Sequence, residues 1–218
     1  MANPEGDAAT QPLMLKYGID KDHPLSKKLT SEDNALLAQD AAKLGVPVAA
    51  FEPLRPWVAA LQLSIAPLVK AGYMGASGAD LTLKTQAVAR HEPVNGFETI
   101  EEQLRFFADL PQKAEVEYFH RTLINFDNTL ADNEQAAAFW ANGDVDSIDH
   151  VLLAKFRRES PDLYEILVKS RNQRIAEQIR DRMAKGGVFF VAIGAAHLAG
   201  PDSVQADLAR MGITSDRF

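Results

Sequence analysis

Most hydrophobic positions repeat at helical spacing. Thr30-Ser31-Glu32-Asp33 places a hydroxyl three residues before an acid, ahead of Leu36, Leu37, Ala41 and Leu44, which is the form of a capped helix start. Gly45 stops that helix. Trp57, Leu61, Ile65 and Leu68 carry a second stripe over residues 55–71, with Pro67 expected to kink it and Gly72 to end it. Residues 79–90 predict another helix. Thr99-Ile100-Glu101-Glu102 is the clearest capping box in the chain and opens a helix that stops at Pro111. Val116, Phe119, Leu123, Phe126, Leu130 and Ala137 predict one long helix from Gln112 to about Ala141, broken by Asn142-Gly143-Asp144. A shorter helix carries Ile148, Leu152 and Phe156. Ser160-Pro161 starts a further one that continues to Lys185, and residues 201–211 predict the last.

Between these helices four short segments read as strands: 46–51, 93–97, 188–193 and the end of the chain after Gly212. Residues 188–193, Val-Phe-Phe-Val-Ala-Ile, are apolar on both alternations, as expected of a strand covered on both faces. The pattern predicts a helix-rich α/β fold with a small, largely buried central sheet surrounded by many helices. Residues 1–13 read as a tail and residues 14–218 as one domain.

Composition narrows the function. The 218 residues are 46% hydrophobic and 24% charged, enough for a full core. Thirty acidic residues against 23 Lys and Arg give a net charge of −7, which argues against nucleic acid as a partner. There is no cysteine, so thiol nucleophiles, Cys-ligated zinc and disulfides are excluded. No apolar run approaches the length of a membrane span, and the first residues have neither a basic nor an apolar signal region.

The candidate chemistry lies where the predicted central strand ends, in Gly194-Ala195-Ala196-His197. Ligands gather at the carboxyl ends of strands in open α/β sheets, so His197 is placed to act as a metal ligand or general base. The alternative is a histidine that only closes the turn. Arg171 sits one turn from both Leu167 and Ile175 on an apolar stripe; a guanidinium there must be paired or must face a cavity. Asn172 lies at the margin of the same stripe. Glu52 and Glu98 each follow a predicted strand and would point to the rim that holds His197, although Glu98 could equally favour the positive end of the next helix. The remaining histidines lack this context.

Several segments together resemble the TraB/GumN family, to which the Tiki proteins are related. They are Asn95-Gly96-Phe97-Glu98-Thr99 with Glu102-Gln103-Leu104, Leu54-Arg55-Pro56-Trp57, Gly78-Ala79-Asp80, Arg171-Asn172, and the block from Gly194 through His197 to Gly200. The resemblance implies an α/β domain in which two Gly-x-x-His motifs and acidic residues form a divalent-metal centre. By position it makes His197 a metal ligand, Glu98 a site carboxylate and second ligand, and Arg171 and Asn172 residues that shape the catalytic site. It implies a metal-dependent hydrolase of peptide bonds, with a peptide or protein as substrate, and a native form that is periplasmic or secreted. Only one Gly-x-x-His occurs in the chain, and Lys169-Ser170 replaces the acid that precedes Arg-Asn in the family. Half the site is therefore missing, and a manganese, cobalt or zinc ion would be held weakly. Two other readings remain: a non-catalytic peptide- or protein-binding member of the same fold, and a metal-free esterase using histidine and glutamate.

Overall fold

A computed structural model describes residues 7–217. They form two compact units, one from residues 7–82 and 98–133, the other from residues 83–97 and 134–217. Two of the three boundaries fall inside helices, α5 (Ala79–Ala89) and α8 (Thr129–Ala141), and the third between Phe97 and Glu98.

The first unit is built on α4 (Pro56–Lys70) and α7 (Gln112–Asn125), with α1 (Asp7–Gly18), α2 (Leu25–Lys28), α3 (Ser31–Leu44) and α6 (Ile100–Ala108) around them. Residues 1–6 of the predicted tail lie outside the described residues, and α1 begins at Asp7. Proline at its first position starts α4, where a missing N–H costs nothing. Its Trp57 and Leu63 are fully buried with Phe119 of α7, Leu25 and Leu37. Burying each such side chain is worth about 1.5–3 kcal/mol, so this cluster is the largest stabilising element of the unit. Trp57 stacks on Phe107, and Phe107 on Tyr118, with ring centroids 5.9 and 5.8 Å apart. Burial pushes the Tyr118 phenol up to about 12.

The second unit centres on α12 (Ser170–Met183) and α13 (Val204–Arg210), which share Ile175, Ala176, Val204 and Leu208. Before them run α9 (Val145–Ser147), α10 (Ala154–Glu159) and α11 (Pro161–Tyr164). Two wider π turns interrupt this run, at Ile148–Leu153 and Glu165–Lys169. Ile148, Leu153, Tyr164, Val168 and Ala199 form a second small core there.

The expected α/β fold with a buried central sheet is not what forms: among the described residues there is no strand, only an isolated antiparallel bridge between Ile19 and Leu54. Residues 48–50 make a 3₁₀ turn in place of the strand read over 46–51. Residues 93–97 and 213–217 are irregular. Residues 188–193 run without regular structure, with Val188 fully exposed and Phe190 82% exposed. An apolar run measures only the demand for burial. A ladder also needs N–H and C=O groups from a second segment, and no described segment supplies them. The helical part of the expectation holds, with two refinements. A 3₁₀ turn at Phe126–Asn128 divides the long helix expected over 112–141, and the Glu165–Lys169 turn divides the one starting at Pro161.

Candidate functional site

His197 lies on a 3₁₀ turn, Ala195–Leu198, whose closing bond runs from the His197 N–H to the Gly194 carbonyl at 2.9 Å. With the sheet absent, this turn follows an unpaired segment instead of a central strand. Gly194 has an ordinary negative φ of −58°, so the turn does not depend on glycine there. Its position comes from α12. The buried Asn172 side chain places Oδ1 2.5 Å from His197 Nδ1, while its Nδ2 donates to the Asp202 carbonyl at 2.5 Å. The bond to Asp202 fixes which end of the amide is oxygen, so Nδ1 must be the donor. In the neutral ring this leaves Nε2 as the acceptor nitrogen, the arrangement by which a histidine is oriented as a metal ligand or base.

A second layer holds Asp202. Its carboxylate accepts from Tyr164 Oη at 3.0 Å. The Arg157 guanidinium donates to Tyr164 Oη at 3.3 Å and to Asp149 at 2.9 Å. Burial pushes the Tyr164 phenol above its usual range, more than the Arg157 bond lowers it. Asp149 in turn packs on Gly200. That residue has φ +79°, and a Cβ built there would run into the Asp149 carboxylate. Only glycine satisfies both the backbone and the contact.

The other expected site residues are divided between the two units. Arg171 is half-buried beside Asn172 on α12, with Nη1 bonded to the Leu167 carbonyl at 3.3 Å. Glu98 belongs to the other unit; it is buried, and Gln103 Nε2 reaches it at 3.5 Å. Glu52 accepts from the Ser26 backbone N–H and hydroxyl at 3.3 and 3.0 Å, at the start of α2. The structure thus brings His197 and Asn172 together, with Arg171 next in sequence. Among the described residues no three His, Asp or Glu side chains stand close enough to hold an ion, whereas a catalytic centre usually takes three protein ligands.

Sequence reasoning missed Asp202, Tyr164, Arg157 and Asp149. The signal for Asp202 was its place just before Ser203, which caps α13 by accepting from Ala206 N–H at 3.3 Å. It also missed the buried pair of Arg55 and Glu115 in the first unit. An arginine at the start of an apolar helix was the available hint.

The sequence profile of the TraB/PrgY/gumN family matches residues 1–217. The chain belongs to that family. Comparison with curated proteins and with solved structures gives no match. The segments that carry the TraB/PrgY/gumN resemblance sit at helix starts or at the histidine turn: Arg55-Pro56-Trp57 opens α4, Ala79-Asp80 opens α5, and Glu98-Thr99 precedes α6. Of these segments, Arg171-Asn172 and Gly194–Gly200 are joined by the Asn172–His197 side-chain bond. Among the described residues, no helix is long and apolar enough to cross a membrane.

Proposed function

We propose that this TraB/PrgY/gumN member carries the histidine part of a hydrolytic site for peptide bonds, and that its metal centre is incomplete. The observation behind this reading is the His197–Asn172 bond, which presents Nε2 as an acceptor on a turn held from two sides. His197 is the group that would hold an ion or take a proton. Asn172 fixes its tautomer, and Arg171 is the cation next to it on α12. A bound manganese, cobalt or zinc ion would supply a water of lowered pKa, and with a single Gly-x-x-His in the chain it would be held loosely.

The test combines elemental analysis after dialysis with a peptidase assay, each after loading with Mn²⁺, Co²⁺ or Zn²⁺. The expected result is an ion lost on dialysis, little or no turnover, and uptake before dialysis reduced by about tenfold or more in His197→Ala. Stoichiometric retention with turnover would overturn the incomplete centre. Equal uptake by His197→Ala would remove His197 from the site.

A second reading, a non-catalytic peptide- or protein-binding member, draws support from the exposed apolar side chains of Val188 and Phe190 just before the histidine turn. Saturable peptide binding without cleavage, unaffected by His197→Ala, would favour it.

A further inference from the structure

The first unit contains a cavity of about 760 Å³ that none of the reasoning about His197 uses. Its size falls within the range of small-molecule sites, roughly 300–1,000 Å³. The end of α1, the loop 20–24, α2, the start of α4 and the corner before α7 line it, and it opens to solvent.

Its base is rigid. Glu115 is 3% exposed and takes Arg55 through two bonds, one of them Nε–Oε2 at 3.3 Å. Arg55 also donates to the Tyr17 carbonyl at 3.1 Å and the Ala108 carbonyl at 2.8 Å. These bonds tie α1, α4, α6 and α7 together and occupy the guanidinium, so Arg55 and Glu115 serve as wall.

The group with spare capacity is Lys28. Its side chain is only 10% exposed, and its ammonium meets Asp20 Oδ2 at 2.6 Å. An ammonium has three donors, and burying it with donors unused is costly. Asp20 is already engaged on both oxygens, by Lys28 and by the His23 ring and backbone nitrogens. The Lys28 hydrogen bond is the main cause that holds the Asp20 carboxyl down to about 2, so it remains an anion that cannot act as donor. Lys27 and Gln112 add an ammonium and an amide to the lining and Asp22 a carboxylate, whereas Pro24, Pro56 and Leu110 add apolar surface. A set rich in donors beside an apolar wall suits an acceptor group on an apolar body.

We propose that this cavity binds a small organic carboxylate, its anion received by Lys28, Lys27 and Gln112 and its apolar part by Pro56 and Leu110. The proposal is independent of the reading of His197.

The experiment is a calorimetric or NMR titration of the full chain with 3-phenylpropanoate, its neutral alcohol 3-phenylpropanol, and inorganic phosphate. A ligand of this size in such a site should bind with a Kd of about 0.1–3 mM. The alcohol should be weaker by about tenfold, for loss of charge-assisted hydrogen bonds. Phosphate should be weaker than the carboxylate, because it leaves the apolar wall unused. Lys27→Gln should weaken the carboxylate about threefold to tenfold, and Leu110→Trp, which fills the cavity, should abolish binding while leaving the His197 resonances unchanged. Lys28→Met should abolish it too, but that variant also unpairs Asp20, so Lys27→Gln and Leu110→Trp decide. No saturation below about 10 mM, equal affinity for the alcohol, or undiminished binding in a folded Leu110→Trp would each overturn the proposal. Phosphate matching the carboxylate would reduce the site to a general anion contact and overturn the organic part.

Discussion

Replacing Asn172 by alanine tests the core of the histidine site. The substitution removes two hydrogen bonds, to His197 Nδ1 and from Nδ2 to the Asp202 carbonyl. Each is worth about 1 kcal/mol net. Asn172 is fully buried, so the carbonyl of half-buried Asp202 loses its partner where water has restricted access, which adds about 1 kcal/mol at the lower end of that penalty. The total is about 3 kcal/mol. With an m-value of about 2–3 kcal/mol/M, the urea midpoint should fall by roughly 1 M. His197→Ala also loses the first bond, so the double mutant should show a coupling of about 1 kcal/mol. Nitrogen-15 shifts of the neutral wild-type ring should mark Nδ1 as the protonated nitrogen, and the Asn172→Ala ring should lose that preference. A loss below about 0.5 kcal/mol, or no coupling to His197, would show that Asn172 does not hold the turn.

Three further outcomes follow from the packing. Arg55→Ala strands the Glu115 carboxylate, which burial already pushes above its usual range, and should cost about 3–5 kcal/mol in urea melts; Arg55→Met with Glu115→Leu should recover most of that loss. Gly200→Ala forces a Cβ into Asp149 at positive φ and should cost about 2 kcal/mol or more, part of it regained when Asp149→Gly opens the space; equal stability of Gly200→Ala and the wild type would refute the contact. The Asp20 carboxyl is depressed from 3.8 to about 2, so the unfolded chain binds its proton first. Its stabilisation is therefore complete above about pH 4 and lost as the pH falls towards 2, and Asp20→Asn should flatten that part of a stability–pH curve.

What could be read from the sequence was local. Thr30 accepts the Asp33 N–H at 3.0 Å, and Thr99 and Glu102 close their capping box at 3.2 and 2.7 Å, as spacing alone requires. Trp57, Phe119 and Leu123 are buried because helical periodicity names the face. Ile65, on the same expected stripe, is 54% exposed, since the stripe of α4 is narrower beyond its second turn. The sheet was misread because residues 188–193 have strand composition without a partner, and composition cannot report a partner. His197 and Asn172 were legible as candidates, but their bond spans 25 positions. Nothing in either local pattern encodes that meeting. Asp33 and His120 show the same limit. They pair across 87 positions, and burial, which raises the Asp33 carboxyl, is outweighed by bonds from His120 and Thr30 that lower it.

The π turn at Glu165–Lys169 makes chain length itself a variable of the site. Such a turn holds roughly one residue more than an α turn. Deleting a single residue there, Lys169 for instance, would let the segment relax into continuous α-helix without breaking it. Every residue beyond would then keep its face, because the residue removed is the one that the wider turn absorbs. Asn172 would still meet His197 and Asp202. A deletion within the regular turns of α12, ahead of Asn172, would instead rotate the asparagine by about 100° around the axis. In any relative, a one-residue gap at Glu165–Lys169 is therefore compatible with an asparagine that still anchors the histidine turn, whereas a gap between Ser170 and Asn172 is not.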